Sequence, residues 1–197
     1  MLRISVMVSG SGSNLQAVID AIDNGQIKDA EIVQVISSNP EAFALERAKK
    51  HGIKGIVIGK EEFPDEDEHN AELVKALKKE NTNLIILAGY MNILKPELVK
   101  EFKGRIINIH PSLIPKYCGE GFYGKKVHEA VINAGEKESG ATVHYVDEGI
   151  DTGEVIIQEK LPVKPVDNAE SLSARVLEIE HVILPKAILI WRRKGEK

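Results

Sequence analysis

Apolar residues along the chain follow two alternating patterns. Short, mainly apolar runs, which predict buried strands, occur at 4–8, 31–36, 55–58, 84–88 and 105–109. Between these runs, apolar residues recur every three or four positions, which predicts amphipathic helices at 15–22, 41–51, 65–81 and 96–102. Strands separated by helices of this length predict βαβ units, and therefore a parallel sheet covered by helices on both faces.

The pattern changes after Pro111. The sequence then predicts a glycine-rich loop, a helix, two strands and one long helix, at 118–124, 127–134, 141–146, 154–163 and 168–191. Pro185 is a possible kink in the last helix. Because no repeat, low-complexity tract or linker divides the sequence, we expect a single α/β domain over 1–197, with a mostly parallel central sheet.

Composition and charge limit the classes of function. The chain is 43% hydrophobic and 28% charged, as in an ordinary globular protein, and its net charge of −4 argues against nucleic-acid or anionic-membrane partners. The apolar run at 4–8 is too short for a signal peptide or a membrane span. The single cysteine, Cys118, excludes an intramolecular disulfide and a Cys-rich zinc site. We expect a cytoplasmic protein without a metal.

The turn between the first predicted strand and helix is rich in glycine and serine. From Ser9 to Asn14 it reads Ser-Gly-Ser-Gly-Ser-Asn. Glycines let backbone N–H groups approach an anion, and the N–H groups at a helix start carry partial positive charge. The turn lacks both the GxGxxG spacing of dinucleotide sites and the lysine of a P-loop, so a small phosphate monoester fits better. The alternative is a tight turn in which Ser13 caps the helix.

Asn108 and His110 stand at the end of the last predicted parallel strand, which Pro111 terminates. Alternation along the strand places both side chains on one face, about 6–7 Å apart at roughly 3.3 Å per residue. Ligands of open α/β sheets bind at the carboxyl ends of the strands. An amide and an imidazole there can both donate hydrogen bonds to a developing oxyanion. The alternative is that both side chains only satisfy nearby backbone groups.

A carboxylate is needed to orient and charge such a histidine. Asp151 is a candidate, in a loop with Gly149 and Gly153, and Asp147 and Glu148 are rivals on the same loop. Aspartate and glycine in such loops are commonly turn residues, so spacing does not choose among the three.

Four segments of the sequence, taken together, carry a family resemblance. They occur in the order Ser9–Ala17, Leu87–Met91, Asn108–Pro115 and Asp147–Gly153. They resemble the folate-dependent formyltransferase family, and within it the phosphoribosylglycinamide formyltransferases of purine biosynthesis. The resemblance runs from about Arg3 to Trp191. It implies a Rossmann-like formyltransferase fold, with a phosphate-binding half at about 1–110 and a folate-site and C-terminal half at about 111–197.

The resemblance also implies an activity and its participants. The formyl group of 10-formyltetrahydrofolate, a co-substrate, would pass directly to the amine of 5-phosphoribosylglycinamide. Asn108 matches the amide that contacts the formyl group, His110 the catalytic histidine, and Asp151 the aspartate that raises the pKa of that histidine. A protonated His110 and Asn108 would stabilise the oxyanion. The chain is expected to work with these small molecules, as a monomer or homodimer, and without a metal.

Further positions match binding residues of the family. Gly12, Ser13 and Asn14 match the loop that binds the substrate phosphate, and Glu180 matches a glutamate near the substrate ribose, with a solvated helix carboxylate as the alternative. The folate site is matched by Glu66, Met91, Asn92, Ile93, Leu94, Asn108 and Asp147. Glu66 and Asn92 depart from the family pattern, because arginine is common at both positions. His144, on a strand face with Thr142, is interpreted as structural, and Cys118 as incidental.

Two other functions compete with the transferase. A formyltetrahydrofolate deformylase, in which water replaces the amine, resembles this family around the Asn-His segment but usually carries an added N-terminal regulatory domain. A non-catalytic phosphate-binding module would use the first turn alone. It leaves the Asn-His pair and the Asp loop without a role.

Overall fold

The structure, a computed structural model, describes residues 1–195. Helices and strands alternate along most of these residues, as the apolar pattern predicts. In chain order they are β1 (Leu2–Val8), α1 (Ser13–Asp23), β2 (Ala30–Ser37), α2 (Phe43–Lys50), β3 (Gly55–Val57), α3 (Glu66–Lys79), β4 (Leu84–Leu87), α4 (Pro96–Glu101), β5 (Ile106–His110), α5 (Lys125–Asn133), β6 (Glu138–Tyr145), β7 (Val155–Pro162) and α6 (Ala169–Gly195). Within the described residues, seven strands form one sheet in the order β3-β2-β1-β4-β5-β6-β7.

The chain divides into two compact units, and the first, Met1–Ile107, contains β1 to β4. β1 pairs in parallel with β2 on one side and with β4 on the other, and β2 pairs in parallel with β3. Right-handed crossovers place α1 and α2 on one face of the sheet and α3 on the other, because the chain reverses direction between β3 and β4. This reversal makes the carboxyl ends of β1 and β4 a topological switch point, where ligands of such sheets bind.

Local sequence explains how two of the helices in this unit begin. Asp65 caps α3, because its carboxylate accepts 2.9 Å hydrogen bonds from the backbone N–H groups of Asp67 and Glu68. α1 begins differently, since its N-cap residue is Gly12, in the left-handed conformation. The interpretation of Ser13 as the cap is therefore wrong, because Ser13 is already the first helical residue. The N-cap of α1 has no side chain that could accept from the first N–H groups.

The second unit starts at Asn108 and contains the end of β5, α5, β6, β7 and α6. β6 and β7 are antiparallel, with Glu138 opposite Pro162, and a bulge interrupts their register between Val143 and His144. α6 continues through Pro185 as one helix.

The predicted fold class is confirmed: an α/β fold with a mostly parallel sheet and helices on both faces. Each predicted strand and helix is present, and the largest displacement of a strand start is at β6, which begins at Glu138 rather than at 141. A single domain stays a prediction, because the chain divides into two units between Ile107 and Asn108. Within residues 1–195, no helix combines the length and the apolar character needed to cross a bilayer.

Candidate active site

The first loop, Ser9–Asn14, follows β1 and leads into α1 in the first unit. Its conformation depends on Gly12, which has a φ of 71° and lies against α2. A Cβ atom at Gly12 would be 2.6 Å from the Cβ of Ala44, and the Ala44 amide donates a 3.1 Å hydrogen bond to the Gly10 carbonyl. Only glycine tolerates both this backbone angle and this close approach. The loop is therefore held against α2 through its backbone.

Ser9 connects the first loop to the segment that follows β4. The backbone N–H of Met91 donates a 2.9 Å hydrogen bond to Oγ of Ser9, and Oγ of Ser38 lies 2.6 Å from the same oxygen. One serine thus joins the chain after β1, β2 and β4. The loop predicted to bind phosphate and the segment predicted to line the folate site are adjacent within the first unit.

The predicted folate segment, Met91–Leu94, presents apolar side chains to solvent. Met91 is 50% exposed and Ile93 is 73% exposed, whereas Asn92 and Leu94 are half-buried. Neighbouring apolar side chains at a switch point form a surface suited to a flat aromatic ring. Burial raises the pKa of Tyr90, immediately before the segment, to about 12, with Asn92 acting in the opposite direction.

Glu66, the other predicted folate residue of this unit, is the first residue of α3. Its exposed carboxylate lies 3.5 Å from Nζ of Lys60 and 3.8 Å from Nζ of Lys95. Exposed ion pairs of this kind contribute little to stability, so the Glu66 carboxylate can exchange partners at small cost.

Asn108 and His110 lie at the end of β5 and meet the same carboxylate. His110 Nδ1 is 3.5 Å from Oδ2 of Asp151, and Asn108 Nδ2 is 3.3 Å from Oδ1 of Asp151. His110 is buried, and its Nε2 donates a 2.9 Å hydrogen bond to the Tyr117 carbonyl. The structure therefore brings together the three residues that the sequence singled out for the reaction.

The loop between β6 and β7 aims Asp151 at this pair. Asp151 has a φ of 57°, a left-handed conformation that aspartate tolerates better than most residues. Its Oδ2 also accepts a 3.0 Å hydrogen bond from the Gly119 N–H. At Gly153 a Cβ atom would overlap the Tyr145 carbonyl, so glycine there permits the tight path of the loop. Asp147 instead bonds within the loop, accepting from the Gly149 N–H at 3.1 Å and from the Thr152 hydroxyl at 2.6 Å.

His144 of β6 completes a network that we call the His110 cluster: Asn108, His110, His144 and Asp151. His144 is buried, its Nδ1 lies 2.8 Å from the Tyr145 carbonyl, and its Nε2 lies 3.1 Å from Asn108 Nδ2. With its proton on Nδ1, the ring accepts one Asn108 hydrogen at Nε2, and Asp151 accepts the other. The Asn108 amide is thereby held in one orientation.

The charges in the cluster are coupled. Burial acts to raise the pKa of Asp151, but His144, the charge of His110 and the Gly119 amide together bring it below its usual range. Burial lowers the pKa of His110, and Asp151 and the Tyr117 carbonyl offset this only in part. The expectation of a protonated His110 stays a prediction, because burial opposes the charge of the ring, whereas the acceptors beside its two nitrogens, the Asp151 carboxylate and the Tyr117 carbonyl, favour it.

Two histidines extend the site beyond the residues that the sequence assigns to the reaction. The interpretation of His144 as structural stays a prediction, and its contact with Asn108 is one that spacing does not indicate, although Thr142 on the same strand face is also buried. His128, on the buried face of α5, was not singled out. Burial, with a smaller effect from the charge of His110, lowers the pKa of His128 to about 4, and its buried Nδ1 has no hydrogen-bond partner among residues 1–195.

Other predicted positions are placed as follows. Glu180 lies in α6 and is only 8% exposed, so the alternative of a solvated helix carboxylate is wrong. Burial raises the pKa of the Cys118 thiol, and the negative charge of Asp151 raises it further. A raised pKa disfavours the thiolate that a nucleophilic cysteine requires. Residues 1–195 contain no group of three His, Cys, Asp or Glu side chains arranged to hold a metal ion.

The chain is similar to known proteins of one family over nearly its whole length. The formyl transferase family matches residues 2–188. The trifunctional purine biosynthetic protein adenosine-3 of Drosophila melanogaster is 46% identical over 94% of this chain, which spans only 14% of that much longer protein. The phosphoribosylglycinamide formyltransferase of Haemophilus influenzae is 40% identical, over 99% of this chain and 89% of its own length.

A solved structure extends the similarity to three dimensions. Glycinamide ribonucleotide transformylase 1 from Symbiobacterium toebii is 37% identical, with a TM-score of 0.89 over 95% of this chain and 86% of that one. The match covers both units of the chain described above. The chain therefore belongs to the formyl transferase family and, within it, to the phosphoribosylglycinamide formyltransferases.

Proposed function

We propose that this chain transfers the formyl group of 10-formyltetrahydrofolate to the amine of 5-phosphoribosylglycinamide. The products are formylglycinamide ribonucleotide and tetrahydrofolate. The observation that carries the proposal is the buried contact of one carboxylate, Asp151, with both His110 and Asn108 at the end of β5, in a chain of this family. Such a cluster suits acyl transfer, where negative charge develops on one oxygen.

The residues present fit a formyl folate as co-substrate. Exposed Met91 and Ile93 offer an apolar surface at the carboxyl end of β4, where this fold class binds ligands. We assign Met91–Leu94, Glu66 and Asp147 to the folate, and Asn108 to its formyl group. When bound, the folate supplies the one-carbon unit. Arginine is common at positions 66 and 92. Glu66 is acidic and Asn92 is uncharged, so both would weaken contact with an anionic folate tail.

Asn108 and His110 stabilise the oxygen of the formyl carbon during attack by the amine. An Asn108 N–H turns from Asp151 or His144 to that oxygen, and donors of this kind are typically worth about 3–4 kcal/mol each. We take His110 to be neutral at rest, since burial lowers its pKa, and negative charge on the reacting oxygen adds to that of Asp151 and raises this pKa during the reaction. The cationic ring then has two N–H groups, one for the Tyr117 carbonyl and one for the reacting oxygen or Asp151.

Proton balance gives His110 a second task. The attacking amine loses one proton, and the leaving folate nitrogen gains one. The proton lost by the amine is the one that makes the His110 ring cationic, and the ring then passes a proton to the leaving folate nitrogen and is neutral again. This requires no covalent intermediate with the protein and no net change in its protonation.

The first loop binds the substrate phosphate in this proposal. Gly12, Ser13 and Asn14 stand at the start of α1, where backbone N–H groups favour an anion. We assign the buried carboxylate of Glu180 to the ribose, whose hydroxyl groups would donate hydrogen bonds to it. A cytoplasmic location and a monomeric or homodimeric state stay predictions from the sequence.

A single assay tests the function against its rivals. The protein is mixed with 10-formyltetrahydrofolate, with and without 5-phosphoribosylglycinamide, and folate absorbance is followed. Release of tetrahydrofolate that depends on the amine supports the transferase. Release that is independent of the amine indicates the deformylase, and no release by a folded protein that still binds the phosphorylated amine indicates the binding module.

A further inference from the structure

Arg47 of α2 contacts the first loop on both sides of Gly12. Its Nε donates a 2.9 Å hydrogen bond to the Ser11 carbonyl, and its Nη1 donates a 3.2 Å hydrogen bond to Oε1 of Gln16 in α1. A Cβ atom at Gly12 would lie 3.4 Å from the Arg47 Cδ, so the stem of the side chain also packs on the loop. The half-buried guanidinium lies over the Phe43 ring, with Cζ 5.1 Å from the ring centroid. One side chain therefore spans the turn at which β1 becomes α1.

These contacts act on the backbone that the proposed function assigns to phosphate. Ser11 precedes the N-cap, Gly12, and Gln16 donates its own N–H to the Gly12 carbonyl at 2.9 Å. Hydrogen bonds at positions 11 and 16 fix the two ends of the segment whose N–H groups would face the anion. Loss of the Arg47 contacts would free the Ser11 peptide to rotate, and a loop with more conformations binds its ligand less tightly.

The charge of Arg47 acts in the same direction. Among residues 1–195, its partners are a carbonyl oxygen, an amide oxygen and an aromatic ring, none of which neutralises the guanidinium. Arginine keeps its charge at any physiological pH. A fixed cation on this loop favours a phosphate dianion over an uncharged ligand, to an extent that falls with ionic strength.

We infer that Arg47 is a positioning residue for the substrate phosphate, holding the first loop open for the anion and adding a positive charge beside it. The inference rests on the proposed function and adds a residue that the sequence reasoning did not consider. It names the class of ligand on which Arg47 acts, a phosphate monoester dianion. Arg47 takes no part in the formyl transfer itself.

The test compares three variants with the wild type. Arg47→Ala removes the charge and both hydrogen bonds, and Arg47→Lys keeps the charge but loses the planar fork of donors. Lys49→Ala is the matched control, since it removes one positive charge from an exposed position of the same helix. Each protein is assayed with 5-phosphoribosylglycinamide and with the same amine lacking the phosphate. Affinity for ribose 5-phosphate is measured separately by isothermal titration calorimetry.

The expected result is a split between KM and kcat. Arg47→Ala should raise the KM for the phosphorylated amine and the Kd for ribose 5-phosphate by about tenfold or more, with kcat changed less than about threefold. Arg47→Lys should recover part of the loss, and Lys49→Ala should match the wild type. Turnover of the phosphate-free amine should be the same in all four proteins. If Arg47→Ala does not fold, as judged by circular dichroism, Arg47→Lys carries the test, with a smaller rise in KM.

Three results would overturn the inference. An Arg47→Ala variant that behaves like Lys49→Ala removes the role of Arg47 and leaves the proposed function intact. Equal losses with the phosphorylated and phosphate-free amines show that Arg47 only supports the fold. If the wild-type protein does not distinguish the two amines, the first loop does not bind the substrate phosphate. That result overturns both this inference and that part of the proposed function.

Discussion

The first loop and the His110 cluster are built in opposite ways. The first loop is fixed by backbone contacts: Gly12 fits against Ala44, and the Gly10 and Ser11 carbonyls accept from α2. The His110 cluster is fixed by buried side chains, in which one carboxylate, Asp151, contacts an amide and two imidazoles. The first loop offers backbone N–H groups, which do not depend on the type of side chain, whereas the His110 cluster offers specific titratable side chains.

This difference separates binding from chemistry. Backbone N–H groups cannot change protonation, so the first loop can hold an anion but cannot move a proton. Burial in the His110 cluster makes each charge sensitive to its neighbours, because electrostatic interactions strengthen as water is excluded. Changes in the cluster should therefore appear in kcat, and changes in the first loop should appear in the KM of the phosphorylated substrate.

The largest effect is expected from His110→Ala. The variant loses both a donor to the reacting oxygen and the group that carries the proton, each worth about 10²-fold or more. We expect kcat to fall by roughly 10³-fold or more, with the KM for 5-phosphoribosylglycinamide changed less than about threefold. Steady-state kinetics measure both values, and circular dichroism checks the fold. A kcat within tenfold of the wild type would remove His110 from the mechanism.

Asp151→Asn should have the next largest effect. The substitution keeps the shape but removes the negative charge that raises the pKa of His110. The His110 cation then becomes less favourable, so the midpoint of its titration should move to lower pH, and kcat should fall by about 10²-fold. NMR of the imidazole Cε1–H follows the midpoint directly.

Glu154→Gln is a matched control for this charge, because it also turns a carboxylate into an amide close by in the chain but at an exposed position. It should leave the His110 midpoint and kcat unchanged. A midpoint that stays the same or rises in Asp151→Asn contradicts the proposed coupling of the two side chains.

The same contrast explains what the sequence could predict. The four residues of β4 are all apolar and all buried, so the run at 84–88 was sufficient to predict a central strand. The first loop was readable because close backbone approach demands glycine, which Gly12 shows directly. Backbone geometry of this kind requires a particular residue type, and that residue type can be recognised in the sequence.

The His110 cluster was only partly readable. Strand alternation paired Asn108 with His110, but spacing could not choose Asp151 over Asp147, because the choice depends on the left-handed turn at Asp151. Family resemblance supplied that choice. The place of His144 depends on packing between elements distant in sequence, and the net charge of His110 depends on desolvation. Neither quantity is encoded in a local pattern.

Gly12→Ala should sharpen the contrast from the side of the loop. A methyl group at Gly12 meets Ala44 and forces a side chain onto a φ of 71°, which together cost roughly 1–3 kcal/mol. We expect a KM for the phosphorylated amine that is raised about tenfold, a lower Tm and a kcat close to normal. Gly10→Ala is the matched control, since a Cβ atom there meets nothing within 4 Å. Equal effects of the two substitutions on KM would show that the shape of the loop does not matter.

The smallest effect concerns acid stability near the His110 cluster. His128 is buried, and its pKa of about 4 in the folded protein lies below that of a free imidazole, near 6.5. As the pH falls below 6.5, the unfolded chain takes up a proton that the folded protein refuses, so stability is lost until about pH 4 and no further below it. After allowance for solvent screening, the loss at pH 5 is on the order of 1 kcal/mol.

His128→Leu removes this titration while keeping an apolar side chain on the buried face of α5. The free energy of unfolding, measured by urea denaturation between pH 7 and pH 4, should therefore fall less steeply in the variant than in the wild type. Only the slope is diagnostic, because the substitution also changes packing at every pH. Parallel curves would mean that His128 takes up its proton as readily in the folded protein as in the unfolded chain. Below about pH 6.5 the folded protein would then hold one more positive charge near His110, which would lower the pKa of His110 and make its cation harder to form.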